Sequence, residues 1–200
     1  MILRLLLTTL VALCGLVSAN AQWLMHPTFD RYMGRLIDTP TQTYFLAAPE
    51  QQVSNIPALK NYKYFLYVYD KEADELRAYT SNNYLSEMLA SMVEYNREKG
   101  YLMLVYTNAN IDLLYPDGSV RNIPHYMLAN MSQSKTVNSI TFDNDNNQAY
   151  LATDFGYVVI DTEKEEIAES RIYGEPLNSV ARHGDLILIG AGDKLLYAPK

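Results

Sequence analysis

The residues with the clearest potential for chemistry lie between Asp143 and Asp154. The run Asp143-Asn144-Asp145-Asn146-Asn147 sets oxygen-bearing side chains at alternate positions, and Asp154 stands twelfth, as in a calcium loop. Such a loop also needs a glycine at its sixth position for the sharp turn, and Gln148 is there instead. Asp and Asn close hairpins equally well, because they tolerate left-handed backbone. The segment is therefore expected to be a turn between two strands. His26, His125 and His183 fall in different segments, none with a second histidine at ligand spacing, and read as loop or packing residues. The single cysteine, Cys14, permits neither an intrachain disulfide nor a cysteine-based metal site. A nucleophile elbow, a zinc-binding His-Glu-x-x-His and a phosphate-binding glycine loop are all missing. A Ser-His-Asp site could still assemble from distant loops, but no residue pattern points to one. No catalytic, cofactor-binding or metal-binding residue is assigned, and no cofactor is expected.

The 17 tyrosines are the most distinctive compositional feature. A tyrosine on a rim can stack on a sugar ring, with an apolar face and a polar tip. Tyrosine is also a good sheet former. Tyr67 and Tyr69 share one face of a regular strand while Tyr64 points to the other, so the three cannot line one site. The run Glu163-Lys164-Glu165-Glu166 follows Asp161 and reads as a solvated hairpin tip.

The elements that must position these residues are short runs of Tyr, Val, Ile, Leu and Thr, which pack well on a pleated surface. They are Thr43 to Ala47, Tyr64 to Tyr69, Glu75 to Tyr79, Tyr101 to Tyr106, Ile111 to Tyr115, Ala149 to Thr153, Tyr157 to Ile160, Ile167 to Ile172 and Leu186 to Ile189. Turn residues separate them, among them Asp117-Gly118, Asp143 to Asn147 and Gly184-Asp185. Only Asn83 to Met92 looks mildly helical. The class is all-β and antiparallel.

The strands repeat. Tyr101 to Tyr106, Asn110 to Tyr115 and Val120 to Ile123 form one phrase; Ala149 to Thr153, Gly156 to Asp161 and Ile167 to Ile172 form the next; Asp185 to Gly190 and Asp193 to Tyr197 begin a third. One further short strand precedes each: Met92 to Tyr95, Ser139 to Phe142 and Ser179 to Arg182. A looser copy runs from Leu36-Ile37 through Thr43 to Leu46, Tyr64 to Asp70 and Glu75 to Tyr79, with an insertion at Ala48 to Tyr62. Offsets of 48 residues (Tyr101 to Ala149) and 36 (Ala149 to Asp185) bracket the familiar propeller-blade spacing of about 40–45. A β-sandwich also has short strands, but would not repeat one phrase three times. The expectation is a partial β-propeller of about three and a half four-stranded antiparallel blades over residues 22–200, with blades near 33–80, 84–124, 137–174 and 177–200. Closure typically takes about 4–8 blades, so the chain is expected to be the front of a longer protein or a truncated one.

Composition and the first residues bear on location. The chain has 23 Asp+Glu against 16 Lys+Arg, a net charge of -7, which argues against a nucleic-acid partner needing a basic face. Arg4, the 13-residue apolar stretch Leu5 to Val17 and the Ala19-Asn20-Ala21 site have the three parts of a secretory signal peptide, which is expected over residues 1–21. The stretch is shorter than the roughly 20 apolar residues of a spanning helix. Leu13 before Cys14 disfavours acylation as a lipoprotein. No later segment is long enough to span, so an exported chain without a transmembrane segment after cleavage is expected.

Several phrases resemble a known family. They are Leu66-Tyr67-Val68-Tyr69-Asp70-Lys71, Tyr79 to Ser86, Tyr95-Asn96-Arg97-Glu98-Lys99-Gly100-Tyr101, Asn110-Ile111-Asp112-Leu113-Leu114 and Thr153-Asp154-Phe155-Gly156-Tyr157-Val158-Val159-Ile160-Asp161. They look like the first propeller of PorZ-like proteins of the type IX (Por) secretion system of Bacteroidota, and like the two-component regulator propellers of that phylum. The resemblance implies a non-enzymatic binding scaffold in the periplasm or at the cell surface. Its partners would be other secretion-system proteins and surface lipopolysaccharide or glycan. PorZ-like proteins carry two propellers and a C-terminal sorting domain, whereas this sequence stops before a first ring is complete. Two other readings stand beside it: the periplasmic ligand-sensing propeller of a hybrid two-component regulator, and a propeller glycan lyase or hydrolase. The last would need acids, or His and Tyr, clustered on one rim.

Overall fold

The computed structural model describes residues 30–49 and 65–200. The expected leader over 1–21 with Cys14, and also His26, Tyr64 and most of the insertion after Ala48, lie outside the described residues. The described chain forms four antiparallel sheets in sequence order. The first holds β1 (Asp30–Asp38), β2 (Gln42–Pro49), β3 (Phe65–Asp70) and β4 (Glu75–Tyr79). The second holds β5 (Ala90–Asn96), β6 (Tyr101–Tyr106), β7 (Ile111–Leu114) and β8 (Val120–Ile123). After a single helical turn, α1 (His125–Leu128), come β9 (Val137–Asp143), β10 (Gln148–Thr153), β11 (Gly156–Asp161) and β12 (Glu166–Ile172). The last sheet has three strands, β13 (Ser179–His183), β14 (Leu186–Ala191) and β15 (Lys194–Pro199). Within each sheet every strand pairs with the next in sequence, and the leading strands β5, β9 and β13 lie beside one another. These are the meander blades and inner strands of a β-propeller.

Period-two alternation explains the packing. In β6, Leu102, Leu104 and Tyr106 join a core with Tyr44, Leu66 and Val68 of the first sheet. Tyr101, Met103 and Val105 join a different core, with Ala149, Leu151, Val158 and Ile160 of the third. The opposite face of the third sheet (Tyr150, Ala152, Tyr157, Val159) then packs on Val180, Ile187 and Ile189 of the fourth. Strands buried on both faces must read as continuous apolar runs; all six residues of β6 and all six of β11 are buried.

Four hairpins share one turn. Asp70, Asn96, Asp143 and Asp161 each end a strand, and the residue four places on has positive φ: Asp74 (54°), Gly100 (74°), Asn147 (52°) and Glu165 (61°). In three of the four the leading side chain caps the turn. Asp70 Oδ1 accepts from the N–H groups of Glu72 and Ala73, Asn96 Oδ1 from Glu98 and Lys99, and Asp161 Oδ1 from Glu163 and Lys164. Gly156 begins β11 at φ 150°, and a Cβ there would stand 2.0 Å from the Arg171 carbonyl oxygen, so only glycine lets β12 approach.

The segment Asn83 to Met92 is not helical. It is a strap of turns leading into β5, held where the Ser86 N–H donates to Asp112 Oδ2 (2.8 Å). Asp112 is fully buried in β7, and its carboxylate also accepts from the Tyr106 hydroxyl (2.6 Å) and the Asn122 amide (2.8 Å). Three donors replace the water it has lost. The polar grip overrides a weak helical pattern.

Candidate functional site

The residues singled out in the sequence are not brought together. Asp143 to Asn147 closes the β9–β10 hairpin through a 3₁₀ turn at Asn144–Asn146. The Asp143 carboxylate accepts from the Asn146 amide (2.9 Å) and from Arg182 of the fourth sheet (3.3 Å). Asp154 instead accepts from Ser134 and Asn138. Among the described residues no three acids, histidines or cysteines converge as a metal site. His125 opens α1, His183 ends β13, and Tyr69 donates to Asp74 within its own hairpin.

The convergence that does form lies between the second and third sheets, in a cleft of about 330 Å³. Lys99, Tyr101, Tyr115 and Arg121 come from one side and Asn147, Thr162 and Glu163 from the other. Leu102 pairs with Leu114, so Tyr101 and Tyr115 sit together at the end of the β6–β7 ladder with ring centroids 5.7 Å apart. The Phe142 ring meets Tyr101 edge-on at 5.8 Å. Burial pushes the Tyr101 phenol above its ordinary range, and the Asn96 amide donates to its hydroxyl (3.2 Å). The same amide donates to Asn144 Oδ1 (2.7 Å), which couples the Asn96 and Asp143 hairpins across the two sheets.

Arg121 crosses the cleft. Its Nε donates to Glu165 (2.6 Å), and its Nη atoms approach the Tyr115 hydroxyl (3.5 Å) and the Glu163 carbonyl (3.4 Å). The Tyr115 hydroxyl, and then Glu165, hold the guanidinium pKa above its ordinary value. The Glu163 carboxylate accepts from the Asn147 amide (2.9 Å). The run Glu163 to Glu166 is a largely exposed hairpin tip, as read from the sequence, and it also meets Arg121 of the second sheet through Glu165 and the Glu163 carbonyl.

Chemically the cleft offers cationic and amide donors, a carboxylate acceptor and the half-buried Tyr115 ring, with Tyr101 buried beneath it. Among its lining residues no nucleophile is paired with a base. The sequence places Tyr101 and Tyr115 in successive strands without pairing them, and a hairpin tip from the neighbouring sheet leaves no local signal.

Four consecutive meander sheets packed face to face, with their leading strands gathered on one side, define a β-propeller. The model of the type IX secretion system PorZ N-terminal β-propeller domain matches residues 62–200, and the chain belongs to that family. Among solved structures, PorZ of Porphyromonas gingivalis, described as an essential bacterial surface component of the type IX secretion system, is similar with a TM-score of 0.67 and 24% identity. That match covers 86% of this chain and 21% of PorZ. The extracellular domain of the putative hybrid two-component system BT4673 from B. thetaiotaomicron is similar at TM-score 0.54 and 16% identity, over 88% of this chain and 28% of that one. The computationally designed Ika4 protein matches at TM-score 0.55 and 10% identity, over 88% of this chain and 99% of the design. At these identities the structural likenesses show the fold. No curated protein matches the sequence.

Proposed function

We propose that the chain is a non-catalytic, exported binding scaffold, part of a PorZ-like surface component of the type IX secretion machinery. Its partners are other proteins of that machinery, together with surface lipopolysaccharide or glycan. The family match over residues 62–200 carries this reading. The cleft around Tyr115 and Arg121 supports it, since aromatic faces ringed by amide, hydroxyl and charged groups suit a polyhydroxylated or anionic ligand better than bond cleavage. The leader read over residues 1–21 supplies export, and no helix among the described residues is long and apolar enough to cross a membrane. The test is deletion of the gene in its host. Loss of secreted type IX cargo is expected, and undiminished secretion overturns the proposal.

The likeness to the BT4673 extracellular domain favours a second reading, a ligand-sensing propeller of a hybrid two-component regulator. Under it, deletion would leave secretion intact and abolish a transcriptional response to an oligosaccharide.

A further inference from the structure

The four matching hairpin turns differ at the residue with positive φ. Asp74, Gly100 and Asn147 suit that backbone, because glycine has no Cβ to clash and Asp and Asn can hydrogen-bond locally. Glu165, at φ 61°, has neither advantage, and strain of this kind collects where a side chain has to be aimed. Glu165 is aimed at Arg121. Nε and one Nη of the guanidinium both meet a single oxygen, Glu165 Oε1, so the pair lacks the two-oxygen fork in which a guanidinium and a carboxylate fit best. Both side chains are partly open to water, where such a pair is weak.

Arg121 lines the cleft between the second and third sheets, and the other charged residues of the lining are Lys99 and Glu163. With Glu165 on Arg121, two cations stand against two carboxylates, and the cleft exerts no net pull on an anion. With Glu165 turned away, one positive charge is left over. Nearby, Lys164 pairs with Asp161 and Glu98 accepts from the Asn144 amide, so both are engaged elsewhere. Around the guanidinium, the half-buried Tyr115 ring offers an apolar face on which a sugar can rest. Asn147 and Glu163 bring an amide and a carboxylate that can meet its hydroxyls.

We propose that Glu165 is an internal stand-in, whose carboxylate holds Arg121 until the carboxylate of an acidic sugar, a uronate, displaces it. The incoming group engages two guanidinium nitrogens with its two oxygens and rests its ring on Tyr115, while the Glu165 side chain turns out to solvent. The carboxylate already on Arg121 shows which group the guanidinium accepts. The aromatic face and the partners for hydroxyls favour a sugar over an acidic peptide. The proposal rests on the reading of the cleft as a recognition site and gives that site a ligand class and a latch. Secretion tests the scaffold role in cells and ligand titration tests the cleft in solution, so either can fail alone.

The probe is sodium glucuronate, titrated into the 200-residue chain at constant ionic strength and followed by backbone amide NMR. Saturable shifts at Lys99, Tyr115, Arg121 and Glu163 are expected, and glucose, which lacks the carboxylate, should give none. Glu165→Gln removes the competing charge and should tighten glucuronate about fivefold, the upper end of what an exposed ion pair contributes. Glu165→Gly should tighten it likewise and leave stability to urea no lower, since glycine takes the positive φ without strain. A glutamate that only braced the two sheets would lower stability when removed and leave affinity no better. Arg121→Gln should abolish the shifts. Absence of saturable shifts in both the parent and Glu165→Gln, equal shifts with glucose, equal or tighter binding of the capped peptide acetyl-Ala-Glu-Ala-amide, or no gain in affinity in either Glu165 variant would each overturn the proposal.

Discussion

The strand pairs β10–β11 and β14–β15 align residue for residue around their turns, Thr153 with Ala191 and Gly156 with Lys194. On the face turned toward the preceding sheet, Ala149, Leu151, Val158 and Ile160 correspond to Ile187, Ile189, Leu196 and Ala198. On the other face, Tyr150, Ala152, Tyr157 and Val159 correspond to Leu188, Gly190, Leu195 and Tyr197. Yet Tyr157 is 5% exposed and Val159 1%, while Leu195 is 76% and Tyr197 74% exposed. The same side-chain classes recur whether or not a neighbouring sheet covers them. Within the described residues the apolar pattern thus continues onto a face that none of them covers, and in the 200-residue chain equal residues should differ widely in energetic weight.

Truncation should expose that inequality most strongly at Leu151, which has no exposed surface. Leu151→Ala should cost about 2–5 kcal/mol, as removal of a core leucine does when its surroundings close only partly. Denaturant unfolding followed by circular dichroism measures the loss, and a cost under about 1 kcal/mol would break the comparison.

An intermediate effect is expected at the turn that closes β11. The Lys164 N–H first, and then the Lys164 side chain and the Glu163 N–H, hold the Asp161 carboxyl below its ordinary value, against the opposing effect of burial. A carboxylate depressed in the folded state stabilises above its unfolded pKa of about 3.9, and that stability is lost as pH falls through the lower folded value. Asp161→Ala should therefore cost about 1 kcal/mol at pH 7, and the difference from the parent should begin to shrink below about pH 4 and fade as pH passes through the lower folded value. Paired urea titrations at pH 7 and pH 3 check both signs. The position equivalent to Asp161 at the end of β15 is Pro199, which has no side-chain carboxylate.

The smallest change is expected at the uncovered counterpart of Tyr157. Leu195→Ala should shift stability by no more than about 0.5 kcal/mol, as substitutions at exposed positions usually do. Measured beside Leu151→Ala, it sharpens the contrast; a loss of several kcal/mol would show that something covers Leu195 in solution.

Much of the fold was legible where strands are buried on both faces. Continuous apolar runs such as Tyr101 to Tyr106 and Gly156 to Ile160, punctuated by Asp, Asn and Gly, can hardly be anything else. Legibility failed where polar contacts decide. Asn83 to Met92 looks helical because Met88 and Leu89 follow Ser86, and only the distant Asp112 carboxylate shows why it is a strap. The brief α1 turn at His125–Leu128 left no helical pattern to read. Of the candidate site, Tyr101 and Tyr115 were legible only as strand residues, and neither they nor their partners were singled out. Arg121 meets Glu165 across 44 residues of chain, a pairing that no local pattern announces.

Strand order carries one further consequence. Among the described residues every ladder joins neighbours in sequence, from β1–β2 through to β14–β15, and no strand pairs with one of a later sheet. Such local pairing keeps loop-closure entropy small and folding fast. As the chain emerges N-terminus first into the compartment where it folds, each hairpin can close as soon as its second strand appears, and each finished sheet gives the next a surface on which to settle. The protein can be assembled in the order in which it is written, with few unpaired strands exposed at any moment.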